Sequence, residues 1–226
     1  MLATWQSTNP ENGTVTYTYD GAHHVLTRTD AKQQVTGYSY DVFGRLTAVA
    51  HYPTGVTNGA DPSQQVTYYY DTNPYNDPIA NNTWGRLAAV AFGNACTGSM
   101  GSVGYMYMYG YNPAGRVTGQ KMRVTVNDPS PGNQSCILYT PPDQTASYGW
   151  DNEGRMTSLT YPAFTTTYSY NAMGQLAGMT DPAGDFSVSA TFGTAGEMDS
   201  LVANFALEAP HVTTSTRASP TIACGN

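Results

Sequence analysis

The chain has 226 residues, a formal net charge of −7 and charged residues at only 11% of positions, where an average domain has about 25%. Scarce Lys, Glu and Arg argue against a helical bundle, while 18 tyrosines favour an all-β chain. The acidic balance leaves no basic face for nucleic acid. The longest apolar run, Leu87 to Phe92, has six residues, whereas a membrane-spanning helix needs about 18, so we expect no membrane span.

Taken in chain order, the predicted elements begin after an N-terminal lead-in at residues 1–14. A first strand ends on Tyr17-Thr18-Tyr19-Asp20, and His23 and His24-Val25 follow it. The next segment shows a fuller version of this arrangement, with a tyrosine pair, an acid, a spaced glycine and then Arg-Leu. Its residues are Tyr38, Tyr40, Asp41, Gly44, Arg45 and Leu46.

The same unit returns along the rest of the chain, which indicates a repeat architecture. Tyr68-Tyr69-Tyr70-Asp71 opens a copy whose Gly85-Arg86-Leu87 comes late, behind an insertion in which Asn82 restores the acid-to-glycine spacing. Residues 190–198 are interpreted as a degenerate seventh unit. Three clear copies lie between these two, and they contain Tyr109, Tyr111, Asn112, Gly115 and Arg116; Tyr148, Trp150, Asp151, Gly154 and Arg155; and Tyr168, Tyr170, Asn171 and Gly174.

Each unit predicts a β-hairpin in which these residues have a structural role. Side chains alternate along a strand, so both aromatics of a pair share one face. The Asp or Asn accepts backbone N–H groups at the corner, and the Gly tolerates the positive φ of a type I turn closed by a G1 bulge. The Arg after the Gly returns beside the acid, which predicts the pairs Asp41–Arg45 and Asp151–Arg155.

Apolar residues after each corner are expected to oppose the aromatic pair. A further apolar group lies eight residues after the turn acid, as at Val49. The three-residue step from Leu46 to Val49 changes face in a regular strand, so either both faces of the sheet are partly covered or a bulge intervenes. The residues expected opposite the second aromatic are Leu46, Val117, Met156 and Leu176.

A single hairpin is at best marginally stable in water, so the units are expected to pair edge to edge. The resulting fold is a curved antiparallel sheet of repeated hairpins, a partial shell or spiral. We place the array at 15–205, with insertions near 72–81, 93–106 and 127–146, and with exposed strand edges at Val15 and beyond Leu201. The Ala-, Thr-, Ser- and Pro-rich segment 206–226 predicts a disordered tail.

The tyrosine pair, the acid, the spaced Gly and the Arg-Leu resemble the YD repeats of the Rhs family, over roughly Val15 to Leu201. The resemblance implies a bacterial protein, secreted or at the cell surface, whose repeats wind into a hollow shell that often encloses a toxic C-terminal domain. Further repeats or shell-closing domains would then be its partners. Asp181-Pro182 resembles the start of the family's cleavage motif, but Ser187-Val188 stands where a second Asp-Pro would be needed, so no cleavage activity is carried over.

We therefore expect a non-enzymatic structural module with no cofactor. His23 and His24 are adjacent and point to opposite faces of a strand, so they favour a solvated turn over a metal site. Cys96, Cys136 and Cys224 form no C-x-x-C pair and leave one bridge between the first two open. The alternative function is a repeat module that binds carbohydrate or a cell surface through exposed tyrosine and tryptophan rings.

Overall fold

The computed structural model describes residues 3–11, 13–53, 59–93, 103–127, 138–139 and 142–205. The three cysteines, the expected tail at 206–226 and parts of the insertions near 93–106 and 127–146 lie outside the described residues. Within the described ranges, the regular structure consists of β-strands and one short 3₁₀ helix at Pro62–Gln64. The prediction of an all-β antiparallel fold built from repeated hairpins is confirmed.

The described part of the chain contains strands that follow one another with antiparallel pairing. Their bounds are β1 Ala3–Asn9, β2 Gly13–Tyr19, β3 Val25–Thr29, β4 Val35–Tyr40, β5 Leu46–Tyr52, β6 Val66–Tyr70, β7 Leu87–Gly93, β8 Val103–Tyr111, β9 Val117–Asn127, β10 Leu138–Tyr139, β11 Gln144–Trp150, β12 Met156–Tyr161, β13 Phe164–Tyr170, β14 Leu176–Thr180, β15 Phe186–Phe192 and β16 Met198–Phe205.

The described residues form two compact bodies. The first holds those within 1–115 and 120–144, where the strands pair in sequence from β1 to β9 and β10 pairs with β9. The second holds residues 116–119 and those within 145–205, where β11 to β16 also pair in sequence. In both bodies each strand hydrogen-bonds to its neighbours in the chain, which is the pattern expected of stacked hairpins.

A bulge in the hairpin of β4 and β5 puts its apolar residues opposite the aromatic pair. In β4–β5, Tyr38 pairs with Val49 and Tyr40 with Leu46, and the register shifts between Ser39 and Tyr40. The extra residue lets both apolar residues face the tyrosine side of the sheet. The structure thus decides the alternative left open by the sequence in favour of the bulge. The same shift occurs in β2–β3, β6–β7, β11–β12, β13–β14 and β15–β16.

The N-terminal edge lies one strand earlier than the sequence predicted. β1 falls in the segment expected as a lead-in, and it pairs with β2 over its whole length, with Ser7 opposite Val15. All residues of β1 are exposed. Val15 is therefore covered, and the polar strand β1 forms the edge of the first body.

Complete burial is concentrated on β7 and β8. Ala88, Ala89 and Met108 are fully buried, and Ala89 pairs with Met108 across the two strands. Most other strand residues are only half-buried. The hairpins therefore depend more on strand-to-strand contacts than on a deep hydrophobic core.

Candidate functional site

The side chain of the acid holds the corner of the hairpin between β4 and β5. The backbone N–H of Gly44 donates to the Asp41 carbonyl at 3.0 Å, and the Asp41 N–H donates to the Arg45 carbonyl at 2.9 Å. The Asp41 carboxylate accepts the N–H groups of Phe43 and Arg45, each at 2.9 Å. Gly44 has φ +77°, a value that glycine adopts without strain. The predicted corner is confirmed for this unit.

The other clear copies repeat this geometry. The Asp151 carboxylate accepts the Arg155 N–H at 2.8 Å, and the Asn171 amide oxygen accepts that of Gln175 at 2.9 Å. At the third corner, the Gly115 N–H donates to the Asn112 carbonyl at 2.9 Å. The corner glycines have positive φ in every case, +85° at Gly115, +85° at Gly154 and +79° at Gly174.

The predicted acid–arginine pairs also form. Arg45 Nε lies 2.7 Å from Asp41 Oδ2, and Arg155 Nε lies 2.6 Å from Asp151 Oδ2. Arg45 additionally reaches the next hairpin, where its Nη2 lies 2.7 Å from Asp71 Oδ2. The hydrogen bond from this guanidinium is the main cause that lowers the pKa of the Asp71 carboxyl. One arginine therefore joins two consecutive corners, a contact that was not predicted from the sequence.

The corner with the long insertion is closed by Asp71 itself. The Asp71 carboxylate accepts the Gly85 N–H at 2.6 Å, and the Asp71 N–H donates to the Arg86 carbonyl at 3.0 Å. Asn82, which the sequence placed in the acid's position, instead donates its side-chain N–H to the Tyr111 carbonyl at 2.8 Å. The two ends of the insertion are therefore joined through Asp71, the acid that follows the tyrosine run.

In four hairpins the second aromatic is hydrogen-bonded to the hairpin before it. In each case a side-chain N–H or O–H donates to the backbone carbonyl of the first residue in the preceding unit's return strand. The pairs are Tyr40 to Val25 at 2.9 Å, Tyr111 to Leu87 at 2.8 Å, Trp150 to Val117 at 2.7 Å and Tyr170 to Met156 at 2.8 Å. Burial raises the pKa of the Tyr40 and Tyr111 phenols, so they remain protonated donors at neutral pH.

In four hairpins the side chain that follows the corner glycine position covers the second aromatic ring of the next hairpin. The His24 ring stacks on Tyr40 with centroids 4.7 Å apart. Arginine takes this place in the other three hairpins, where a cation over the face of a ring adds to stability. Guanidinium carbons lie over the following rings at 4.5 Å for Arg45 on Tyr70, 5.6 Å for Arg86 on Tyr111 and 4.8 Å for Arg155 on Tyr170.

At three corners, those of Gly44, Gly115 and Gly154, the side chain after the preceding corner glycine also packs against the next corner glycine, whereas a Cβ on Gly85 would have no atom within 4 Å. A Cβ atom on Gly115 would lie 3.1 Å from Arg86 Nη2, and one on Gly44 would lie 2.8 Å from His24 Nε2. A Cβ on Gly154 would overlap the guanidinium of Arg116. At these three corners the glycine is thus needed for its positive φ and also for the space that the preceding hairpin occupies. The sequence indicated the first reason and missed the second.

We call these contacts the inter-hairpin ladder. One rung comprises the second aromatic, the carbonyl to which it donates, the side chain after the preceding corner glycine, and the glycine of the next corner. The first aromatics Tyr38, Tyr148 and Tyr168 share the face of the ladder aromatics and pair with Val49, Leu159 and Met179. Tyr109 lies half-buried on β8.

A charged cluster fastens the first insertion to β9. Lys121 Nζ lies 2.9 Å from Asp77 Oδ2, and Arg123 Nη2 lies 2.7 Å from Asp143 Oδ2 and 3.4 Å from Asp77 Oδ2. The Asp77 side chain is only 6% exposed. Desolvation acts to raise the pKa of Asp77, but the hydrogen bond from Lys121 and nearby positive charge keep the pKa below its usual value.

The histidines near the first corner take part in the corner and its rung. His24 Nδ1 lies 2.9 Å from Asp20 Oδ2, in the position that arginine takes elsewhere, and the hydrogen bond lowers the pKa of Asp20. His23 stands in the glycine position with φ +68°. Among the described residues, no cluster of three or more His, Cys, Asp or Glu side chains could hold a metal ion. No helix in the described ranges is long and apolar enough to cross a membrane.

Comparisons with known proteins agree with this geometry. Residues 19–57 match the family model for the RHS Repeat. Comparison with curated proteins gives no match. Among solved structures, the crystal structure of TcdB2-TccC3-Cdc42 aligns with a TM-score of 0.57 and 14% identity, over 88% of this chain and 10% of that chain. The crystal structure of TcdB2-TccC3 gives 0.56 and 14%, over 88% and 11% of the two chains.

A third solved structure, the Photorhabdus luminescens Tc holotoxin pore, aligns with a TM-score of 0.53 and 16% identity, over 89% of this chain and 10% of that chain. This chain therefore spans about a tenth of the length of the chains it matches. Identities this low show a shared fold. The RHS Repeat match at residues 19–57 and the tyrosine, acid, glycine and arginine corners that recur along the chain support an Rhs-type YD-repeat protein.

Proposed function

We propose that this chain is a structural segment of the wall of an Rhs-type encapsulating shell. The inter-hairpin ladder is the observation that carries the proposal. Each rung joins one hairpin to the next, as where Arg45 covers the Tyr70 ring at 4.5 Å, and Arg45 additionally binds Asp41 and Asp71, each at 2.7 Å. Such contacts repeat with every added hairpin, so they suit a wall that is extended unit by unit.

The role of the wall is non-catalytic in this proposal. The corner carboxylates are already engaged, since those of Asp41 and Asp151 accept backbone N–H groups and also bind their arginines. Carboxylates held in this way are poorly suited to exchange protons with a substrate at neutral pH. Their pKa values lie below the usual range, although desolvation opposes the shift.

Further repeats or shell-closing domains are the partners that this function requires. A toxic domain would lie inside the completed shell, and the assembly would be secreted or placed at the cell surface. The similarity to Tc toxin structures supports this proposal at the level of the fold, because this chain aligns over 88% of its length with a tenth of TcdB2-TccC3-Cdc42.

The test is to express the open reading frame together with its in-frame flanking sequence and to image the product by electron cryomicroscopy. We expect a closed wall in which the hairpin of β4 and β5 is one repeat among many, with protease-resistant material inside. Flanking sequence without tyrosine-pair and acid units, or a product that forms no enclosing wall, would overturn the proposal.

A glycan array with the intact chain tests the alternative of carbohydrate binding. Trp150 is half-buried and its indole N–H donates to the Val117 carbonyl at 2.7 Å, so its ring is already held against the preceding hairpin. We expect no saturable binding that depends on Trp150 or Tyr148. Binding to one glycan class that weakens in a folded Trp150→Phe variant would favour a binding module instead.

A further inference from the structure

The last hairpin lacks the first tyrosine of its aromatic pair. The corresponding position is tyrosine in the other hairpins, at Tyr17, Tyr38, Tyr68, Tyr109, Tyr148 and Tyr168, and it is Ala190 on β15. The backbone register is unchanged, because Ala190 pairs with Leu201 just as Tyr168 pairs with Met179. The substitution therefore removes a ring without moving the strands.

A cleft of about 370 Å³ lies where that ring would be. Apolar side chains form most of its lining, and Gln175 contributes a side-chain amide that already binds Asn171 and the Gly196 carbonyl, both at 2.8 Å. Three of the lining residues are unusually exposed for their type, Leu176 at 47%, Met198 at 46% and Leu201 at 38%.

We propose that this cleft over Ala190 is a binding site for a monocyclic aromatic ligand of about the size of the missing phenol. A closed apolar cavity of roughly 150 Å³ is enough to take one benzene, so the available space is ample even with one side open. The ligand completes the same packing that a tyrosine side chain provides in the other hairpins.

The lining favours an aromatic ring over a saturated one. Met179 and Met198, whose thioethers are polarizable, line the cleft together with the aromatic Phe192. Sulfur–aromatic contacts and offset ring pairs stabilise an aromatic ligand beyond the burial of its apolar surface. A saturated ring of the same shape gains the burial without these additional contacts.

Nuclear magnetic resonance of the intact chain, labelled with ¹³C in the methionine methyl groups, tests the site directly. On titration with 4-methylphenol, we expect saturable shifts of the Met179 and Met198 methyl signals and none at Met106 or Met108, which lie on β8. The saturated analogue 4-methylcyclohexanol should bind roughly threefold more weakly or worse. Equal or stronger binding of the saturated ring, shifts spread over all methionines, or no saturation would overturn the proposal.

The variant Ala190→Tyr supplies the ring from the chain itself. We expect a higher Tm and loss of the phenol-induced shifts at Met179 and Met198, while Ser189→Ala, on the opposite face of the same strand, retains them. Ala190→Leu fills the cleft with less bulk and should weaken binding even if the tyrosine variant does not fold. Undiminished phenol binding in a folded Ala190→Tyr or Ala190→Leu protein would refute the assignment.

Discussion

The hairpins β4–β5 and β15–β16 have the same backbone corner although they share few of its side chains. In β4–β5 the corner runs from Asp41 to Arg45, with an N–H to carbonyl distance of 2.9 Å between them. In β15–β16 it runs from Gly193 to Glu197, with the corresponding distance at 2.8 Å and Gly196 at φ +88°. The positive φ and the bulge are thus sufficient for the corner.

What the degenerate hairpin lacks is the attachment made by side chains. Gly193 has no carboxylate to accept the N–H groups that Asp41 accepts, and Glu197 replaces the cation that Arg45 supplies. Only part of the rung to the preceding hairpin is present, because Gln175 donates to the Gly196 carbonyl at 2.8 Å but Phe192 has no polar hydrogen to donate. The comparison separates the backbone geometry of a corner from the ladder that joins it to its neighbours.

The largest loss of stability is expected at a glycine that needs both a positive φ and free space for a side chain of the preceding hairpin. Gly154→Ala places a Cβ at φ +85° and into the Arg116 guanidinium. Backbone strain of this kind costs about 1–3 kcal/mol, and the displaced arginine adds to it. We expect Gly154→Ala to lower the free energy of unfolding by about 2–4 kcal/mol, measured by urea denaturation.

Gly184→Ala is the matched control for that change. Gly184 has φ +86°, but no atom lies within 4 Å of its Cβ position. It therefore experiences the strain without the clash, and the loss of stability should be about 1 kcal/mol. Equal losses at the two positions would show that the ladder does not constrain the corner glycine.

The ladder hydrogen bond should have a smaller effect. Tyr170→Phe removes the hydroxyl that donates to the Met156 carbonyl at 2.8 Å and keeps the ring beneath Arg155. We expect a loss of about 0.5–1.5 kcal/mol, detected by thermal or urea unfolding. Tyr168→Phe, on the same strand and face, removes a hydroxyl outside the ladder. If Tyr168→Phe proves as harmful as Tyr170→Phe, the ladder bond has no special role.

The corner was predictable from the sequence because its causes are local. An acid that accepts N–H groups two and four residues later, and a glycine with positive φ, both lie within five consecutive residues such as 41–45. The ladder was not predictable in the same way, because Arg45 and Asp71 are 26 residues apart. Their proximity depends on the register between hairpins, which a single unit does not encode.

Two further features were missed for related reasons. The cluster around Asp77 joins residues up to 46 positions apart along the chain, so no local pattern marks it. A corner of the same kind also joins β3 to β4, where the Asp30 carboxylate accepts the N–H groups of Lys32 and Gln34, each at 2.9 Å. The repeat pattern does not predict this corner, because Gln33, at φ +64°, stands in the glycine position.

The charged corners should also make stability depend on pH. The Arg45 guanidinium is the main cause that lowers the pKa of Asp71, and hydrogen bonds lower that of Asp41 against desolvation. A carboxyl whose pKa is lower in the folded state contributes stability above its unfolded pKa of about 3.9, and this contribution is lost as the pH falls through the folded value. We expect Tm to fall between about pH 5 and about pH 2.

Substitutions at two corners test whether the corner carboxyls cause the fall in Tm on acidification. Asp71→Asn removes one of the perturbed carboxyls and should flatten the fall in Tm on acidification, while it lowers Tm at pH 7. Asn171→Asp introduces a carboxyl that accepts the Met173 and Gln175 N–H groups, and it should steepen the fall. An unchanged pH profile in both variants would place the acid sensitivity elsewhere in the molecule.

The smallest change in stability is expected from rebuilding the degenerate corner between β15 and β16. Whether stability falls or rises depends on whether one or both of its residues are replaced. Gly193→Asp alone brings a carboxylate against Glu197, whose side chain occupies the space of the added Cβ, so it should destabilise the hairpin. In the double variant with Glu197→Arg, the new aspartate can accept backbone N–H groups and bind a cation, as Asp41 does. An exposed pair of this kind is worth about 0.2–1 kcal/mol. A double-mutant cycle measured by urea unfolding should therefore show favourable coupling, whereas simple additivity would mean that acid and arginine contribute to each corner independently.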